Sequence, residues 1–174
     1  GMLHGGHLGS ADASDIEIIN NHIHHLAGTD PYEHCVYFNG NRVLIEGNNI
    51  HDCPGSGMTF HQSGTGATSR DFIVRHNLIH DLPGGPCIRL VGDNHVAYNN
   101  LCYDAGDATH PPLTIALASP DNSKFYNNTV YNNRSSLACI YISSSSNPAT
   151  NNVVRNNLCW GGVDDRILDQ GTNS

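Results

Sequence analysis

The chain has 174 residues, a length typical of one domain, and only 14% of them are charged. Its formal net charge is −8, and Lys124 is its single lysine. This balance argues against nucleic acid or an anionic membrane surface as a partner, since both are bound by clustered Lys and Arg. No apolar run approaches the roughly 18 residues of a membrane span. The first residues lack the pattern of a signal peptide, so localisation stays open.

An asparagine returns six times in one local frame, with apolar residues three positions before it and two positions after it. The six are Asn21, Asn48, Asn77, Asn100, Asn128 and Asn157, which are 27, 29, 23, 28 and 29 positions apart. Self-similarity at this period indicates a solenoid. We therefore predict a single domain over 1–174, with a partial coil over 1–15, repeats over 16–169 and a tail over 170–174.

A second signal precedes the asparagine frame in each repeat, a short segment in which apolar residues alternate with others. In chain order these segments are 36–38, 58–61, 88–91, 115–117 and 140–143. Alternation predicts strands with one buried face, and Gly and Pro clusters separate them as turns. No helical stripe of useful length occurs, and the coils are too short for a crossover helix. Parallel strands must therefore stack along one axis.

The asparagine has a predicted structural role at a corner between strands. Its short side chain tolerates left-handed backbone and bonds backbone groups locally. Identical amides stacked coil over coil can also bond one another as a ladder.

The six cysteines fall mainly into two columns of the repeat. Cys102 and Cys159 occupy an apolar frame position, and Cys35, Cys87 and Cys139 share another position. Residues two coils apart in one column lie about 10 Å apart, whereas a disulfide needs Cα atoms within about 7 Å. Pairing within a column is therefore excluded, and we expect mostly free thiols.

Two kinds of segment resemble a known family. The segments 48–52 (NNIHD) and 77–81 (NLIHD) resemble the N-x-I-H-D turn of the pectate-lyase-like right-handed parallel β-helices. The segment 34–38 (HCVYF) resembles their H-G-I-Y-L strand, with Cys in place of Gly. The resemblance covers roughly 16–168. It implies an all-β, right-handed, single-stranded parallel β-helix of about six to seven coils, in a superfamily whose members include polysaccharide lyases, glycoside hydrolases, epimerases, tailspikes and repeats without catalysis.

Aromatic and imidazole rings recur three positions after each asparagine. They are His24, His51, His80, Tyr103, Tyr131 and Trp160. Histidines beside Asp52 and Asp81 have the ligand chemistry of a zinc, copper or nickel site. The alternative is a stack of planar rings that packs one corner. The change to Tyr and Trp keeps the ring shape and loses the ligand, so we favour the stack and predict no metal.

Substrate lies along the outer face of the first sheet in enzymes that this chain resembles. Alternation turns Tyr37, Thr59, His61 and Arg89 to that face, followed by Ala116, Tyr141 and Ser143 on later coils. We predict Tyr37, His61 and Arg89 as catalytic residues for β-elimination or C5 epimerisation of a uronate. Arg89 would neutralise the carboxylate, His61 would remove the α-proton and Tyr37 would return a proton. The alternative is a solvated face without activity.

Further candidates lie around this face. The segment 30–34 (DPYEH) resembles the Asp-Pro-His-Asp segment of alginate epimerases at two of four positions, which suggests Glu33 and His34 as substrate-binding residues beside Thr59 and Tyr141. No cofactor is predicted; a calcium bridge would need clustered acids, and Glu33, Asp93 and Asp107 are scattered.

The sequence therefore supports two classes of function. One is a lyase or epimerase that acts on an acidic polysaccharide. The other is a non-catalytic β-helix that binds glycan or protein, or a self-associating structural fragment. We expect a polysaccharide partner, no nucleic acid, no membrane, and a possible homo-oligomer through coil ends or a sheet face.

Overall fold

The computed structural model describes residues 3–4, 13–29, 32–60, 69–116, 121–142 and 149–170, with backbone only for 3, 4 and 13. Within these ranges the chain forms nineteen strands and no helix, and so no helix of the length and apolarity of a membrane span. The strands are β1 Leu3–His4, β2 Ala13–Ile19, β3 His22–His24, β4 Val36–Phe38, β5 Gly40–Glu46, β6 Asn49–His51, β7 Met58–Phe60, β8 Ile73–Arg75, β9 Leu78–Leu82, β10 Ile88–Leu90, β11 Val96–Tyr98, β12 Leu101–Ala105, β13 Leu113–Ile115, β14 Lys124–Tyr126, β15 Thr129–Tyr131, β16 Ile140–Ile142, β17 Val153–Arg155, β18 Leu158–Trp160 and β19 Ile167–Asp169.

Every strand pairs in parallel with the strand one turn away, so the turns stack into a solenoid with three sheets. The first sheet is β1-β4-β7-β10-β13-β16-β19, the second is β2-β5-β8-β11-β14-β17, and the third is β3-β6-β9-β12-β15-β18. The asparagine frame spans the corner between the second and third sheets, with one strand on each side. The predicted all-β parallel solenoid is confirmed.

The interior is filled by the inward-facing residue of each short strand. Phe60, Phe72 and Phe125 are its largest fully buried side chains. The Phe60 and Phe72 rings lie 4.6 Å apart between centroids, and the buried imidazole of His95 lies 4.9 Å from Phe72. His95 accepts a hydrogen bond from the Phe72 amide at 3.2 Å and contacts the Val91 carbonyl at 3.1 Å, so this interior polar ring is fully partnered.

The predicted asparagine ladder is confirmed. The side-chain amides of the first five ladder asparagines each donate to the Oδ1 of the asparagine in the next turn, at 2.9–3.1 Å. The same Oδ1 also accepts the backbone N–H of the preceding ladder asparagine. The left-handed residue is the one before the ladder asparagine, with φ between 54° and 68°. It is Asn20, Gly47, His76, Asn99, Asn127 and Asn156. The ladder asparagines therefore satisfy buried polar groups, and their neighbours make the turn.

The prediction of free thiols is wrong. Three disulfides join Cys35 to Cys53, Cys87 to Cys102 and Cys139 to Cys159, with Cα atoms 5.6, 6.1 and 6.3 Å apart. Pairing within a column does not occur, as expected. Each bond instead crosses the section of one turn, from the residue before a first-sheet strand to the third-sheet region of the same turn. The start of a first-sheet strand and the third-sheet region of the same turn therefore come within disulfide distance.

The disulfides occupy alternate turns, and Gly57 explains one of the intervening turns. Gly57 replaces cysteine in the column of Cys35 and Cys87. A Cβ atom at this position would lie 2.6 Å from Ile79 Cγ2 and 3.1 Å from Leu82 Cδ1. In this turn, branched apolar side chains fill the space that the sulfur atoms occupy in the turns above and below.

Candidate functional site

One row of outward-facing residues runs across the first sheet. Strand pairing aligns Tyr37 with Thr59, Thr59 with Arg89, Arg89 with Thr114, and Thr114 with Tyr141. Adjacent strands lie about 4.8 Å apart, so Arg89 sits about 10 Å from each tyrosine position and the row spans about 19 Å. The sequence Tyr-Thr-Arg-Thr-Tyr is symmetric about the arginine. We refer to these five residues as the first-sheet row.

Arg89 is the only cation of this row, and it forms no ion pair with any part of the chain that the structure describes. Burial lowers the pKa of its guanidinium from the ordinary value, and the nearby charge of Asp107 partly opposes that effect. The Asp107 carboxylate already accepts hydrogen bonds from the amides of Thr109 and His110, at 2.7 and 2.9 Å. Burial of the Asp107 carboxylate raises its pKa. The hydrogen bonds from His110 and Thr109 lower it by more, so the pKa of Asp107 lies below its ordinary value. Arg89 is thus a partly desolvated cation without a bonded anion.

The two threonines beside Arg89 differ in their hydrogen bonding. Thr114 Oγ1 donates to the carbonyl of Pro111 at 3.0 Å. Thr59 is 2% exposed, and its Oγ1 has no hydrogen-bond partner among the described residues. A buried hydroxyl without a partner costs free energy in the folded chain. Thr59 is therefore a buried member of the row, between Met58 and Phe60, which are also buried.

Tyr37 and His34 form one end of the row. Their ring centroids lie 5.6 Å apart and the planes are nearly parallel. The buried His34 ring accepts the Ser56 amide at Nδ1, at 2.9 Å, so the neutral ring carries its proton on Nε2. Burial raises the pKa of the Tyr37 phenol, which is protonated at neutral pH even at its ordinary value. This end of the row holds proton donors.

The other predicted binding residues take different positions. Tyr141, at the far end of the row, donates from its hydroxyl to Gln170 Oε1 at 3.0 Å. Glu33 lies in the turn before β4 with its carboxylate against Gly28. His61 lies outside the described residues. The structure therefore brings Tyr37, Thr59, Arg89 and Tyr141 into one row, with His34 beneath its end and Glu33 beside it.

A family model described as "Right handed beta helix region" matches residues 6–166. The chain belongs to the right-handed β-helix family. Comparisons with curated proteins and with solved structures found no match. The family match agrees with the resemblance to the pectate-lyase-like superfamily, and it assigns no reaction to this β-helix.

The acids considered for a calcium bridge are Glu33, Asp93 and Asp107. Within the described ranges, Glu33, Asp93 and Asp107 belong to no group of three potential metal ligands. Asp93 Oδ1 accepts the Asp121 amide at 3.0 Å, and Asp107 is engaged in its own loop. These two acids stabilise the local backbone.

Thr114 was missed by the sequence reasoning, which placed Ala116 in the row. The strand is Leu113–Ile115 instead of the predicted 115–117. A shift of two residues leaves the same residue types facing inward, so hydrophobic alternation does not distinguish the two registers. The preceding Pro111 and Pro112 give the missing signal, because proline is typical of the entry to a strand.

The first-sheet row has the chemistry to hold an anion. Arg89 offers up to five N–H donors in a planar fork that matches a carboxylate. Two tyrosines flank it with apolar rings and hydroxyl groups. An extended ligand lying across the strands would meet these groups in succession.

Proposed function

We propose that this β-helix binds a uronate-containing polysaccharide along the outer face of its first sheet, with Arg89 as the side chain that binds the sugar carboxylate. The observation that carries the proposal is the state of Arg89. Removing a guanidinium from water costs free energy, which a bonded anion offsets. The described residues supply no such anion to Arg89.

The neighbours of Arg89 fit an extended acidic glycan. Tyr37 and Tyr141 lie two strands away on either side, and aromatic rings combine apolar contact with a hydroxyl group. Between Tyr37 and Arg89 lies Thr59, whose hydroxyl has no hydrogen-bond partner within the described ranges.

The net charge of −8 repels a polyanion at long range, so the carboxylate contact has to come from a local cation. Three disulfides also support the proposal, because structural disulfides are typical of oxidising compartments outside the cytosol, where such polysaccharides occur.

The second candidate is a lyase or epimerase acting on the same glycan, favoured by the alignment of Tyr37 with Arg89 across two strands of the first sheet. In β-elimination, a base removes the proton beside the carboxylate and the bond to the glycosidic oxygen breaks. The electron pair forms the new double bond, and an acid protonates the departing oxygen. Arg89 would stabilise the negative charge that develops on the carboxylate, and Tyr37 would be the acid. In epimerisation, Tyr37 would return the proton to the opposite face.

The base in this scheme is His61, as predicted from the sequence. His34 is a poor substitute because its Nδ1 already accepts the Ser56 amide.

Binding is tested by calorimetry with polygalacturonate, alginate and hyaluronan, with and without calcium, against a neutral glucan. We expect Arg89→Gln to weaken acidic-glycan binding at least tenfold, which is about 1.4 kcal/mol, while Arg89→Lys retains part of the affinity. Arg134→Gln is the matched control, because it removes one charge from an exposed pair with Asp104. Equal affinities for wild type and Arg89→Gln would contradict the proposal.

Turnover is tested by the ultraviolet absorbance of the unsaturated uronate product and by NMR of proton exchange with solvent. A reaction that Tyr37→Phe abolishes without loss of binding supports the enzyme. Binding with neither absorbance change nor exchange identifies a non-catalytic glycan-binding module.

A further inference from the structure

The outer face of the third sheet carries a cluster of four imidazoles at its β3 edge. His24 and His51 are aligned by the pairing of β3 with β6. Their rings are stacked, with centroids 5.1 Å apart and planes 8° apart. His80 continues the stack at 4.6 Å from His51. The predicted ring stack is therefore present, and its histidine end is extended sideways by His22 and His25.

His22 is the residue that changes the chemistry of this corner. It lies two positions before His24, so alternation along β3 places both side chains on the same outer face. Its Nε2 lies 2.7 Å from Nε2 of His51 in the next strand. The nitrogen atoms of His22, His24 and His51 lie within 4.8 Å of one another. Three ring nitrogens from two adjacent strands thus converge on one point.

Asp52 sets the tautomer of the central ring. Its Oδ2 lies 2.7 Å from Nδ1 of His51, so that nitrogen carries the proton and donates it. Nε2 of His51 is then left with its lone pair directed toward His22. A histidine that donates one ring N–H to a carboxylate while its other nitrogen faces outward is the arrangement typical of metal ligands.

The ring of His24 is also held through its Nδ1, by a neighbouring imidazole instead of a carboxylate. Its Nδ1 lies 2.6 Å from Nδ1 of His25, so the two exposed rings share one proton. A proton donated from His24 leaves its Nε2 free to bind an ion. His25 Nδ1 itself lies 3.6 Å from Asp52 Oδ2, so the partner of His24 sits beside the carboxylate that orients His51.

We propose that His22, His24 and His51 form a site for one divalent transition-metal ion of the zinc, nickel or copper class, with Asp52 and His25 as the groups that orient the ligands. Three neutral imidazoles match the preference of these ions for nitrogen. Metal–nitrogen bonds of about 2.0–2.1 Å require His22 and His51 to separate slightly from their hydrogen-bonded positions, which the exposure of His22 permits.

The ion would join two turns that no disulfide joins. The disulfides of the described turns each close a single turn, whereas His22 and His24 lie on β3 and His51 lies on β6. Metal binding would therefore hold the two turns at this edge of the sheet together. The site is separate from the first-sheet row, and it depends on no glycan.

The experiment is calorimetric titration of the full chain with Zn²⁺, Ni²⁺ or Cu²⁺, followed by X-ray absorption of the zinc-loaded protein. We expect one ion per chain and a first shell that contains three imidazoles. His51→Gln and His22→Gln should each weaken binding at least tenfold, and Asp52→Asn about tenfold, the range for loss of a group that orients a ligand.

His80→Gln is the matched control. His80 lies in the same stack and contacts Asp81 at 2.7 Å, as His51 contacts Asp52, but its Nε2 faces Asn49 Oδ1 at 3.1 Å instead of another imidazole. We expect its affinity to equal that of wild type. Circular dichroism of each variant checks folding independently of metal. Absence of binding by folded wild type, or equal losses in His80→Gln and His51→Gln, would overturn the proposal.

Discussion

Replacement of Asn77 by alanine tests the ladder at its centre. Asn77 is 1% exposed. Its Nδ2 donates to Asn100 Oδ1, the Ile45 carbonyl and the Arg75 carbonyl, at 2.9–3.0 Å. Its Oδ1 accepts the backbone N–H and side-chain amide of Asn48, at 3.0 and 2.9 Å.

The alanine variant removes all five bonds and leaves the buried backbone N–H of Asn48 without its side-chain acceptor. A buried donor without a partner costs about 2 kcal/mol, and the other bonds contribute roughly 0.5–1.5 kcal/mol each. Some groups that lose Asn77 as a partner bond to each other or to water instead, so the full sum is not lost. We expect the free energy of unfolding to fall by about 4 kcal/mol. That is a large share of the roughly 5–15 kcal/mol that stabilises a typical domain.

Urea unfolding followed by circular dichroism gives the free energy of unfolding. With a slope of about 2 kcal/mol per M, the midpoint should fall by about 2 M. Asn21→Ala is the matched control, since Asn21 is exposed and, among the described residues, its side chain donates to Asn48 Oδ1 and the Ile19 carbonyl alone. Its loss should stay near 1 kcal/mol. Equal losses at Asn21 and Asn77 would refute the ladder as a buried network.

Three other predictions follow from disulfides, the buried imidazole and the unpartnered hydroxyl. Removal of the bond between Cys87 and Cys102, 15 residues apart, should cost about 3 kcal/mol, measured as the urea midpoint of the double alanine variant against wild type; an unchanged midpoint would contradict it. Burial lowers the pKa of His95 to about 4. The unfolded chain therefore binds a proton that the folded chain does not, and stability should fall by about 3 kcal/mol between pH 6.5 and 4. A smaller pH slope in His95→Gln checks this assignment. Thr59→Val should raise stability by about 1 kcal/mol by removing the buried hydroxyl and should weaken acidic-glycan binding; a loss in stability would argue against an unpartnered Oγ1.

The repeat and its corner were predictable because the asparagine frame reports a physical need that recurs in every turn. Each ladder asparagine satisfies backbone groups of its own turn and of the turn before it, for example the carbonyls of Arg75 and Ile45 through Asn77. Because every turn has the same backbone groups to satisfy at this corner, an asparagine recurs at the same position of each repeat. The position of the left-handed backbone, one residue earlier, was not predictable from the asparagine alone because Asn also favours that conformation.

The cysteine pairing could be inferred only by considering a turn in cross-section. Distances along the solenoid axis exclude disulfides between cysteines of one column, and none of the three disulfides joins such a pair. Cys87 and Cys102 lie in one turn, as do Cys139 and Cys159, and this coincidence was the available signal. Whether the start of a turn and its third-sheet region come within disulfide distance depends on the packing of the whole turn, which no local pattern describes.

The first-sheet row was predictable where alternation fixed the face, as for Tyr37 and Arg89. The prediction from alternation was wrong where two strand registers have the same apolar pattern, as for Thr114. The imidazole cluster was predictable only in part, since His24 and His51 share a column but His22 reaches His51 through a diagonal contact between strands.

The central functional claim is that acidic glycan binds across the first sheet at Arg89. The most direct measurement is a titration of ¹⁵N-labelled protein with an acidic oligosaccharide, followed by amide chemical shifts. We expect the largest changes in Thr59, Arg89 and Thr114, on β7, β10 and β13. Saturating changes confined to the second or third sheet, or no change at any concentration of glycan, would contradict it.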